Sequence, residues 1–377
     1  MLEQFLNNKP LYYSEIDYGR MPRIFAKIKS KLPQPKIIHI IGTNGKGTTG
    51  RFLAQSLFSL GFSVGHYTSP HILEFNERIW LDGKNVDNET LEQKHKELQS
   101  ILTKEDSDSL SYFEYTTLLG ILVFSSCDYV VLEAGLGGEY DATAVFKKEL
   151  TLVTPIDYDH EAFLGSTIEE IATTKLNAIQ KSAIVTKQNY EEIERIVELK
   201  KDSKIYRPEE LLNEDDYKKI SQIKQELELP NYLVQNLELS ISALKFFNIV
   251  YDSSNFKNSK LFGRLTKYKK NILLDVGHNV LASKAIVKEL KGKKITLIYN
   301  TYADKNYKEI LNILKPIIES VEIIKIDEQR VETKEKLEDS LKELNINFCD
   351  FNNIKEEKSY LVFGSFSVVE QFLKVCR

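Results

Sequence analysis

The sequence predicts an α/β protein built on mainly parallel sheets. Short β-branched runs alternate along the chain with longer amphipathic stretches, which is the pattern of strands joined by helices. Most of these runs are apolar throughout, as expected for strands that helices cover on both faces. The predicted strands are residues 36–41, 62–67, 128–133, 151–156, 182–186, 271–275, 294–299, 321–326 and 359–363.

The length of the chain and a break in its apolar pattern predict two domains. A chain of 377 residues is long enough for about two domains, each with a core of its own. The best boundary lies near residues 252–262, where residues 252–255, which read Asp-Ser-Ser-Asn, interrupt the apolar pattern. We therefore expect one domain over residues 1–255 and a smaller one over residues 256–377. The Lys- and Glu-rich stretch 187–230 predicts surface helices and loops.

The composition argues against several classes of protein. A net charge of −4 disfavours general binding to nucleic acids or to membrane surfaces. The three cysteines have neither the spacing of a metal site nor that of a disulfide framework, which indicates a reducing compartment. No run has the features of a signal peptide or a membrane span. We therefore expect a cytoplasmic protein, and, with no sign of a dimer interface, a monomer.

The run Gly42-Thr43-Asn44-Gly45-Lys46-Gly47-Thr48 predicts a phosphate-binding loop. It follows an apolar strand and precedes an amphipathic helix, so backbone N–H groups and the helix N-terminus would face the phosphates. Lys46 would reach the terminal phosphates, and Thr48 would place its hydroxyl near a magnesium ion. The spacing departs from the strict P-loop pattern, because no glycine stands five places before Gly45 and a glycine separates the lysine from the threonine.

A carboxylate ends another apolar strand. Residues 129–133 read Tyr-Val-Val-Leu-Glu, and the glycine-rich run 134–138 follows them. A carboxylate at the C-terminal end of a parallel strand, beside a phosphate loop, is placed to hold the magnesium ion of a nucleotide. The alternative is that Glu133 only caps a turn.

A histidine and a lysine follow the predicted strand 151–156. His160 ends the run Asp-Tyr-Asp-His, and it is either a metal ligand or a hydrogen-bonded loop residue, since magnesium prefers oxygen ligands. The next stretch predicts a helix that begins with a capping box, either Ser166 with Glu169 or Thr167 with Glu170. Lys175 lies on the apolar stripe of this helix, which also contains Ile171 and Ile179. Lys175 therefore either has a function there or snorkels from the edge of the stripe.

Taken together, these residues resemble the folylpolyglutamate synthase and dihydrofolate synthase family, a branch of the Mur ligase superfamily. The match follows the family's order through nearly the whole chain. Its most specific parts are Tyr67-Thr68-Ser69-Pro70-His71 and Phe75-Asn76-Glu77-Arg78-Ile79. The other matching segments are Tyr18-Gly19 with Arg23-Ile24, Gly42 to Thr48, Phe113-Glu114 with Thr117, Glu133 to Thr143, Asp159-His160, Lys175, Asn236 with Ser240 and Ala243, Gly263-Arg264, Asp275-Val276-Gly277-His278-Asn279, and Gly364-Ser365.

The resemblance implies a fold and a reaction. The larger domain would be a P-loop ATPase domain of the Mur ligase type, and the smaller one a Rossmann-like α/β domain. The enzyme would use ATP to activate a carboxylate as an acyl phosphate, which the amino group of L-glutamate attacks to form an amide. The acceptor would be dihydropteroate, a reduced folate or both. Closure of the second domain would exclude water from the acyl phosphate.

The resemblance also implies roles for individual residues. Lys46, Glu133, His160 and Lys175 would be catalytic, and Ser69, Glu133 and His160 would bind two magnesium ions. Lys175 would be carbamylated, which converts a buried cation into an anion and suits its inward position. The ATP contacts would be Gly42, Thr43, Asn44, Gly45, Lys46, Gly47, Thr48, Asn236, Arg264, Asp275 and His278.

By the same resemblance, two stretches would bind the pteroate. Tyr112 and Phe113 could stack on a flat pterin or benzoyl ring, and the alternative for each is ordinary core packing. The complete set of implied contacts is Ser111, Tyr112, Phe113, Glu114, Tyr140, Asp141 and Ala142.

The chain departs from the family pattern at three places. Residues 139–144 read Glu-Tyr-Asp-Ala-Thr-Ala where the family often has Arg-Leu-Asp-Ala-Thr-Asn, so Glu139 reverses a charge and Ala144 replaces an asparagine. Residues 176–179 carry one extra residue after Lys175, and Tyr232-Leu233 replaces an expected His-Gln pair. These changes concern the substrate and the base contacts. The implied ligands are all present, so we expect an active enzyme.

Three other functions compete with this one. Another Mur-type ligase, acting on a cell-wall precursor or cyanophycin, would leave residues 75–78 unexplained and would need a third, substrate-recruiting domain. A P-loop kinase or regulatory GTPase would leave residues 275–279 unexplained, and no guanine-reading motif is present. A non-catalytic nucleotide- or folate-binding relative stays open because of Glu139.

Overall fold

A computed structural model describes residues 1–9 and 17–376 of the chain. The chain divides into two compact units. The first comprises Met1–Leu229 and Leu233–Lys260, and the second comprises Pro230–Tyr232 and Leu261–Arg377. The division after Lys260 lies a few residues beyond the boundary expected from the sequence.

The first unit contains a sheet that is parallel except at one edge. Its strands are β1 (Lys36–Ile41), β2 (Val64–Tyr67), β3 (Ile79–Leu81), β4 (Lys84–Asn85), β5 (Tyr129–Glu133), β6 (Leu150–Val153), β7 (Ser182–Val185) and β8 (Lys204–Tyr206). The order across the sheet is β4-β3-β2-β5-β1-β6-β7-β8, and β3 and β4 are the antiparallel strands. The central strands are buried on both faces, which is why their sequences are apolar throughout.

Helices cover this sheet. They are α1 (Leu2–Asn7), α2 (Arg20–Ile28), α3 (Lys46–Ser59), α4 (Asn88–Ile101), α5 (Lys104–Ser109), α6 (Tyr112–Val123), α7 (Glu161–Leu164), α8 (Ile168–Leu176), α9 (Glu191–Glu198), α10 (Pro208–Leu211), α11 (Glu214–Glu226) and α12 (Val234–Phe246). One core cluster lies under α4 and α6, and another, built on Val153, Ile171 and Val185, lies under α8 and α9. No helix in the described ranges has the length and apolar character needed to span a membrane.

The strand register brings three chain segments to one edge of the sheet. β1 pairs in parallel with β5, where Ile40 faces Glu133, and with β6, where Ile41 faces Val153. All three strands therefore end together. The glycine-rich loop after β1, the carboxylate of Glu133 and the loop after β6 are neighbours for this reason.

The second unit is a smaller α/β unit. Its strands are β9 (Thr266–Lys269), β10 (Ile272–Leu274), β11 (Ile295–Tyr299), β12 (Ile318–Ile323), β13 (Phe348–Asp350) and β14 (Tyr360–Phe363). They are ordered β13-β12-β11-β14-β10-β9, with β9 as the antiparallel strand. Its helices are α13 (Val280–Glu289), α14 (Tyr307–Leu314), α15 (Lys334–Glu343) and α16 (Phe366–Val375). The predicted α/β class with mainly parallel sheets is confirmed in both units.

Several local predictions need correction. The predicted strand 36–41 is present with the predicted ends, and every other predicted strand is present with at least one end shifted. The run 151–156 ends as a strand at Val153, two residues before Pro155, which cannot donate to the ladder. The sequence missed β3, β4, β8 and β13, which have only two or three residues, and β9, which is partly exposed and has no apolar run. Of the two capping boxes only the one between Thr167 and Glu170 forms. The helix it begins ends at Leu176, so Ile179 lies beyond it.

Candidate active site

The glycine-rich loop runs from β1 into α3, and its geometry depends on glycine at two positions. Gly42 has a φ of 137° and Gly45 a φ of 90°, values that residues with a side chain rarely adopt. A Cβ atom on Gly42 would lie 2.0 Å from Thr154 Oγ1, and one on Gly45 would lie 2.1 Å from Asn236 Nδ2. The loop leads directly into the N-terminus of α3, which is the arrangement of a phosphate site.

Two lysines converge on the carbonyl oxygen of Gly42. Lys46 Nζ lies 3.3 Å from this oxygen, and Lys175 Nζ, which comes from α8, lies 3.1 Å from it. Lys175 is only 4% exposed, and its burial, reinforced by the nearby charge of Lys46, lowers its pKa to about 7. A large fraction of the Lys175 side chains therefore carries a neutral amine at physiological pH. The inward position predicted from the apolar stripe is present.

The lowered pKa of Lys175 predicts a pH dependence of stability. Between a folded pKa of about 7 and the ordinary value of 10.5, the unfolded chain holds a proton that the folded chain lacks. The free energy of unfolding should therefore rise with pH across this window. We expect carbonate-free protein to show this rise in urea unfolding, and Lys175→Met to lose that part of it. The same pH dependence in both proteins would contradict the assignment.

Glu133 ends β5 beside the lysines. Its Oε1 lies 3.8 Å from Lys46 Nζ, and its Oε2 accepts hydrogen bonds from the hydroxyl of Thr68 and from the N–H of Ser69 at 3.3 Å. Sequence reasoning missed Thr68 as a site residue. The signal was the register, because β2 pairs with β5 at Tyr67 and Leu132, which places residue 68 next to residue 133.

The donor groups at this edge suit a hard divalent cation. Thr48 Oγ1 is buried and has no hydrogen-bond partner among the described residues, and it belongs to the same loop as Lys46. No three His, Cys, Asp or Glu side chains come together as a metal site within residues 1–9 and 17–376. Glu133, hydroxyl oxygens and the phosphates of a nucleotide would give a cation here the oxygen-rich coordination that magnesium prefers.

His160 lies in the loop after β6. It adopts the left-handed conformation, with φ 56° and ψ 37°, and forms the N-cap of α7. Its N–H donates to Asp159 Oδ1 at 2.9 Å, and its Nε2 lies 3.9 Å from Asp159 Oδ2. The loop adjoins the glycine-rich loop, since the N–H of Thr43 donates to the carbonyl of Pro155 at 2.9 Å.

Asn236 and Ser240 on α12 hold the glycine-rich loop and α3 from the side. Asn236 Nδ2 donates to Gly45 O at 3.3 Å and to Thr49 Oγ1 at 3.1 Å. The Ser240 hydroxyl donates to Thr49 O at 2.9 Å. The small-residue spacing noted in the sequence therefore lets α12 pack closely against α3.

The predicted nucleotide contacts of the second unit lie around the end of β10. Asp275 Oδ2 accepts from the Tyr232 hydroxyl at 2.7 Å and from the N–H of Leu265 at 2.8 Å, and Oδ1 accepts from the N–H of Gly277 at 2.8 Å. The guanidinium of Arg264 lies 5.5 Å from the ring centroid of Phe366. His278 Nδ1 lies 3.0 Å from Val276 O. Tyr232, where the family has a histidine, thus bonds directly to Asp275.

The polar residues among the predicted pteroate contacts form hydrogen bonds with nearby backbone groups. Ser111 and Glu114 form the capping box of α6, and Glu114 also pairs with Arg20 Nε at 2.8 Å. Asp141 is buried and accepts four hydrogen bonds, from the N–H groups of Gly135, Leu136 and Thr143 and from the Thr143 hydroxyl. Ala142, next to it, is buried as well.

The aromatic members differ in their exposure. Phe113 packs on the backbone of Gly135, two residues after Glu133. Tyr112 is partly buried, with the Arg78 guanidinium 5.3 Å from its ring centroid. Tyr140 is 53% exposed, and its ring lies 4.6 Å from that of the equally accessible Tyr18. Tyr140 therefore offers an open aromatic face, whereas Phe113 contributes to the packing beside Glu133.

Two of the departures from the family pattern touch each other. Glu139 Oε2 accepts from Asn177 Nδ2 at 2.6 Å, and the N–H of Glu139 donates to Thr174 O at 2.8 Å. Asn177 in turn accepts from Lys200 Nζ. The reversed charge and the extra residue after Lys175 are thus parts of one contact between the glycine-rich segment and the end of α8.

Known proteins share this chain's sequence and fold. No family model matches it. The crystal structure of Helicobacter pylori folylpolyglutamate synthetase is 39% identical, covers 99% of this chain and 97% of its own, and has a TM-score of 0.78. The chain belongs to the folylpolyglutamate synthase and dihydrofolate synthase family. This confirms the resemblance noted in the sequence and the predicted class of ATP-dependent ligase.

More distant members of the family agree. The dihydrofolate synthase/folylpolyglutamate synthase of Haemophilus influenzae is 27% identical, with 97% of this chain and 94% of that protein matched. The bifunctional folylpolyglutamate synthase/dihydrofolate synthase of Yersinia pestis, complexed with AMPPNP and a Mn ion, shares the fold at 22% identity and a TM-score of 0.83. It covers 99% of this chain and 97% of its own. The two-domain Mur-ligase-like fold of the family is thereby confirmed.

Proposed function

We propose that the protein binds ATP with a divalent cation at the glycine-rich loop and ligates L-glutamate to a pteroate or folate carboxylate. The observation that carries this proposal is the convergence of Lys46, Glu133 and Lys175 on the loop between β1 and α3. The family assignment supports it, and so do the AMPPNP and Mn ion bound to the Yersinia pestis relative.

In this proposal the loop residues 42–48 cradle the phosphates. Ser69, Glu133 and His160 would hold two magnesium ions, and the Thr48 hydroxyl, which has no hydrogen-bond partner among the described residues, would lie near one of them. When bound, the cations neutralise charge on the phosphate oxygens. Lys46 adds a positive charge at the same edge of the sheet. Phosphoryl transfer depends on such charge neutralisation more than on covalent help from the protein.

The reaction proceeds in two steps. An oxygen of the acceptor carboxylate attacks the γ-phosphorus of ATP, which gives an acyl phosphate and ADP. The neutral amine of L-glutamate then attacks the acyl carbon, the C–O bond to phosphate breaks, and an amide and inorganic phosphate are formed with release of a proton. Lys175 acts as its carbamate, formed from the neutral amine and CO2 with loss of a proton.

The resemblance to the family supports four further ATP contacts, by Asn236, Arg264, Asp275 and His278. Asp275 is held in one orientation by its three hydrogen bonds, so its carboxylate is preorganised.

The pteroate stacks on aromatic side chains. Tyr112, Phe113 and Tyr140 supply ring faces, of which that of Tyr140 is the most exposed. Ser111, Glu114, Asp141 and Ala142 shape the same region through their backbone contacts. We further propose that the protein is cytoplasmic, which the free thiols of Cys127, Cys349 and Cys376 support, and that it is a monomer. Light scattering during gel filtration tests the oligomeric state.

Phosphate release tests the proposed function. The protein is incubated with ATP, magnesium and L-glutamate, in parallel with dihydropteroate and with tetrahydrofolate. We expect release that requires both glutamate and an acceptor. Release with both acceptors identifies a bifunctional enzyme, and release with one identifies a single step. No release in protein shown to bind ATP would contradict the proposal and favour a non-catalytic relative.

A further inference from the structure

We propose that Tyr190 is a positioning residue of this site, which holds the loop after β6 against the glycine-rich loop through Asp157. The inference rests on the proposed function, because it assigns the loop that carries His160 to the metal and nucleotide site. Tyr190 lies in the Lys- and Glu-rich stretch 187–230, for which the sequence predicted only surface helices and loops.

The inner side of this loop is bound to Thr43. The Thr43 hydroxyl donates to Asp157 O at 3.0 Å, and the N–H of Asp157 donates back to the same hydroxyl oxygen at 3.0 Å. The Thr43 N–H donates to Pro155 O at 2.9 Å. These hydrogen bonds join the two loops at this point and tie the backbone of Asp157 to the glycine-rich loop.

The outer side of the loop is bound by the segment that follows β7. β6 and β7 pair in parallel, with Val153 facing Val185, so the chain after β7 emerges next to the loop after β6. The Tyr190 hydroxyl donates to Asp157 Oδ1 at 2.9 Å, and Gln188 Oε1 accepts from the N–H of Ile156 at 2.9 Å.

The position of Tyr190 is itself fixed by its surroundings. It is the N-cap residue of α9, so its backbone is part of a helix start, and its ring meets that of Tyr158 edge to face at 5.9 Å. Asp157 is buried, at 5% exposed, and stands three residues before His160. The hydroxyl of Tyr190 thus fixes the side chain of Asp157, in the loop that leads to His160. Loss of this bond should loosen the loop without emptying any core.

The experiment compares two tyrosine-to-phenylalanine variants. Tyr190→Phe removes the hydroxyl bond to Asp157 and keeps the ring contact with Tyr158. Tyr251→Phe is the matched control, because its hydroxyl donates to Asp216 Oδ1 at 2.8 Å, a bond of the same kind on α11 of the same unit. Binding of Mn²⁺ in the presence of AMPPNP is measured by electron paramagnetic resonance, which needs no turnover.

We expect Tyr190→Phe to bind Mn²⁺ about tenfold more weakly than the wild type, the loss typical when a group that orients a metal ligand is removed. Tyr251→Phe should keep the wild-type affinity, although both variants lower thermal stability. Hydrogen exchange should be faster at the amides of residues 156–160 in Tyr190→Phe alone.

Two results would overturn the inference. One is an equal Mn²⁺ affinity in the two variants, and the other is the absence of Mn²⁺ binding in the wild type. A wild type that binds Mn²⁺ and AMPPNP but releases no phosphate would overturn the proposed function and leave the Tyr190 comparison valid, so the two failures can be told apart.

Discussion

Replacing Lys46 by alanine is expected to abolish ATP-dependent ligation while the protein stays folded. Lys46 supplies a positive charge between the Gly42 carbonyl and Glu133, and its side chain is 14% exposed. Removing it leaves the developing charge on the transferred phosphoryl group without its protein cation. We expect the rate of phosphate release to fall by roughly a thousandfold or more, as for other charges placed at a phosphoryl group.

A surface lysine provides the control for this variant. Lys94 on α4 pairs with Glu97 at 2.8 Å, and its replacement by alanine should change neither activity nor fold, since such exposed pairs contribute about 0.5 kcal/mol or less. Glu133→Ala should be as inactive as Lys46→Ala. Circular dichroism and melting temperature verify that each variant is folded. Normal turnover of a folded Lys46→Ala protein would contradict the assignment of the glycine-rich loop to the active site.

Activity is also expected to depend on CO2 through Lys175. Only a neutral amine can attack CO2, and with a pKa of about 7 a large part of the Lys175 population is neutral at pH 7. An ordinary exposed lysine would be neutral in roughly one molecule in three thousand at that pH. Lys175 is only 4% exposed, so its ammonium form is destabilised by burial and by the nearby charge of Lys46. Carbamylation also removes this free-energy cost.

Activity assays, a lysine variant and direct detection of the carbamate test this prediction. Protein stripped of bicarbonate should lose most of its activity and regain it when bicarbonate is added back, and activity should fall as the pH drops below 7. Lys175→Met should be inactive and indifferent to bicarbonate. A carbamate carbon should appear by NMR after incubation with ¹³C-labelled bicarbonate, and in density at the Lys175 tip. A bare amine together with bicarbonate-independent turnover would contradict carbamylation.

The sequence predicted the parts of the site that are local in the chain. The glycine-rich loop, Glu133 at the end of β5 and the inward Lys175 all follow from periodicity and from the strand–loop–helix order, and the structure places them together. Asn236 could be found only by its resemblance to the family, because nothing in its own neighbourhood of the chain points to residues 45 and 49. Thr68 was noticed only as part of a family motif and Tyr190 only as part of a predicted surface stretch, because the partners of both side chains are set by strand register.

The same distinction between local and long-range features applies to the prediction of the fold. Strands buried on both faces were predicted, because their apolar runs carry the signal, whereas β4 and β9 are exposed and short and were missed. The contact between Glu139 and Asn177 belongs with these failures. Each residue was recognised as a departure from the family pattern, but that one departure answers the other is a property of the folded loop and the end of α8.

The packing of α12 against α3 has a consequence for the order in which the chain matures during synthesis. Asn236 bonds to a carbonyl 191 residues earlier in the chain, and Ser240 bonds across the same separation. When the glycine-rich loop leaves the ribosome, the helix that completes it has not been translated. A nascent chain that ends before α12 should therefore bind nucleotide poorly, and the affinity for ATP should appear only when the first unit is almost complete.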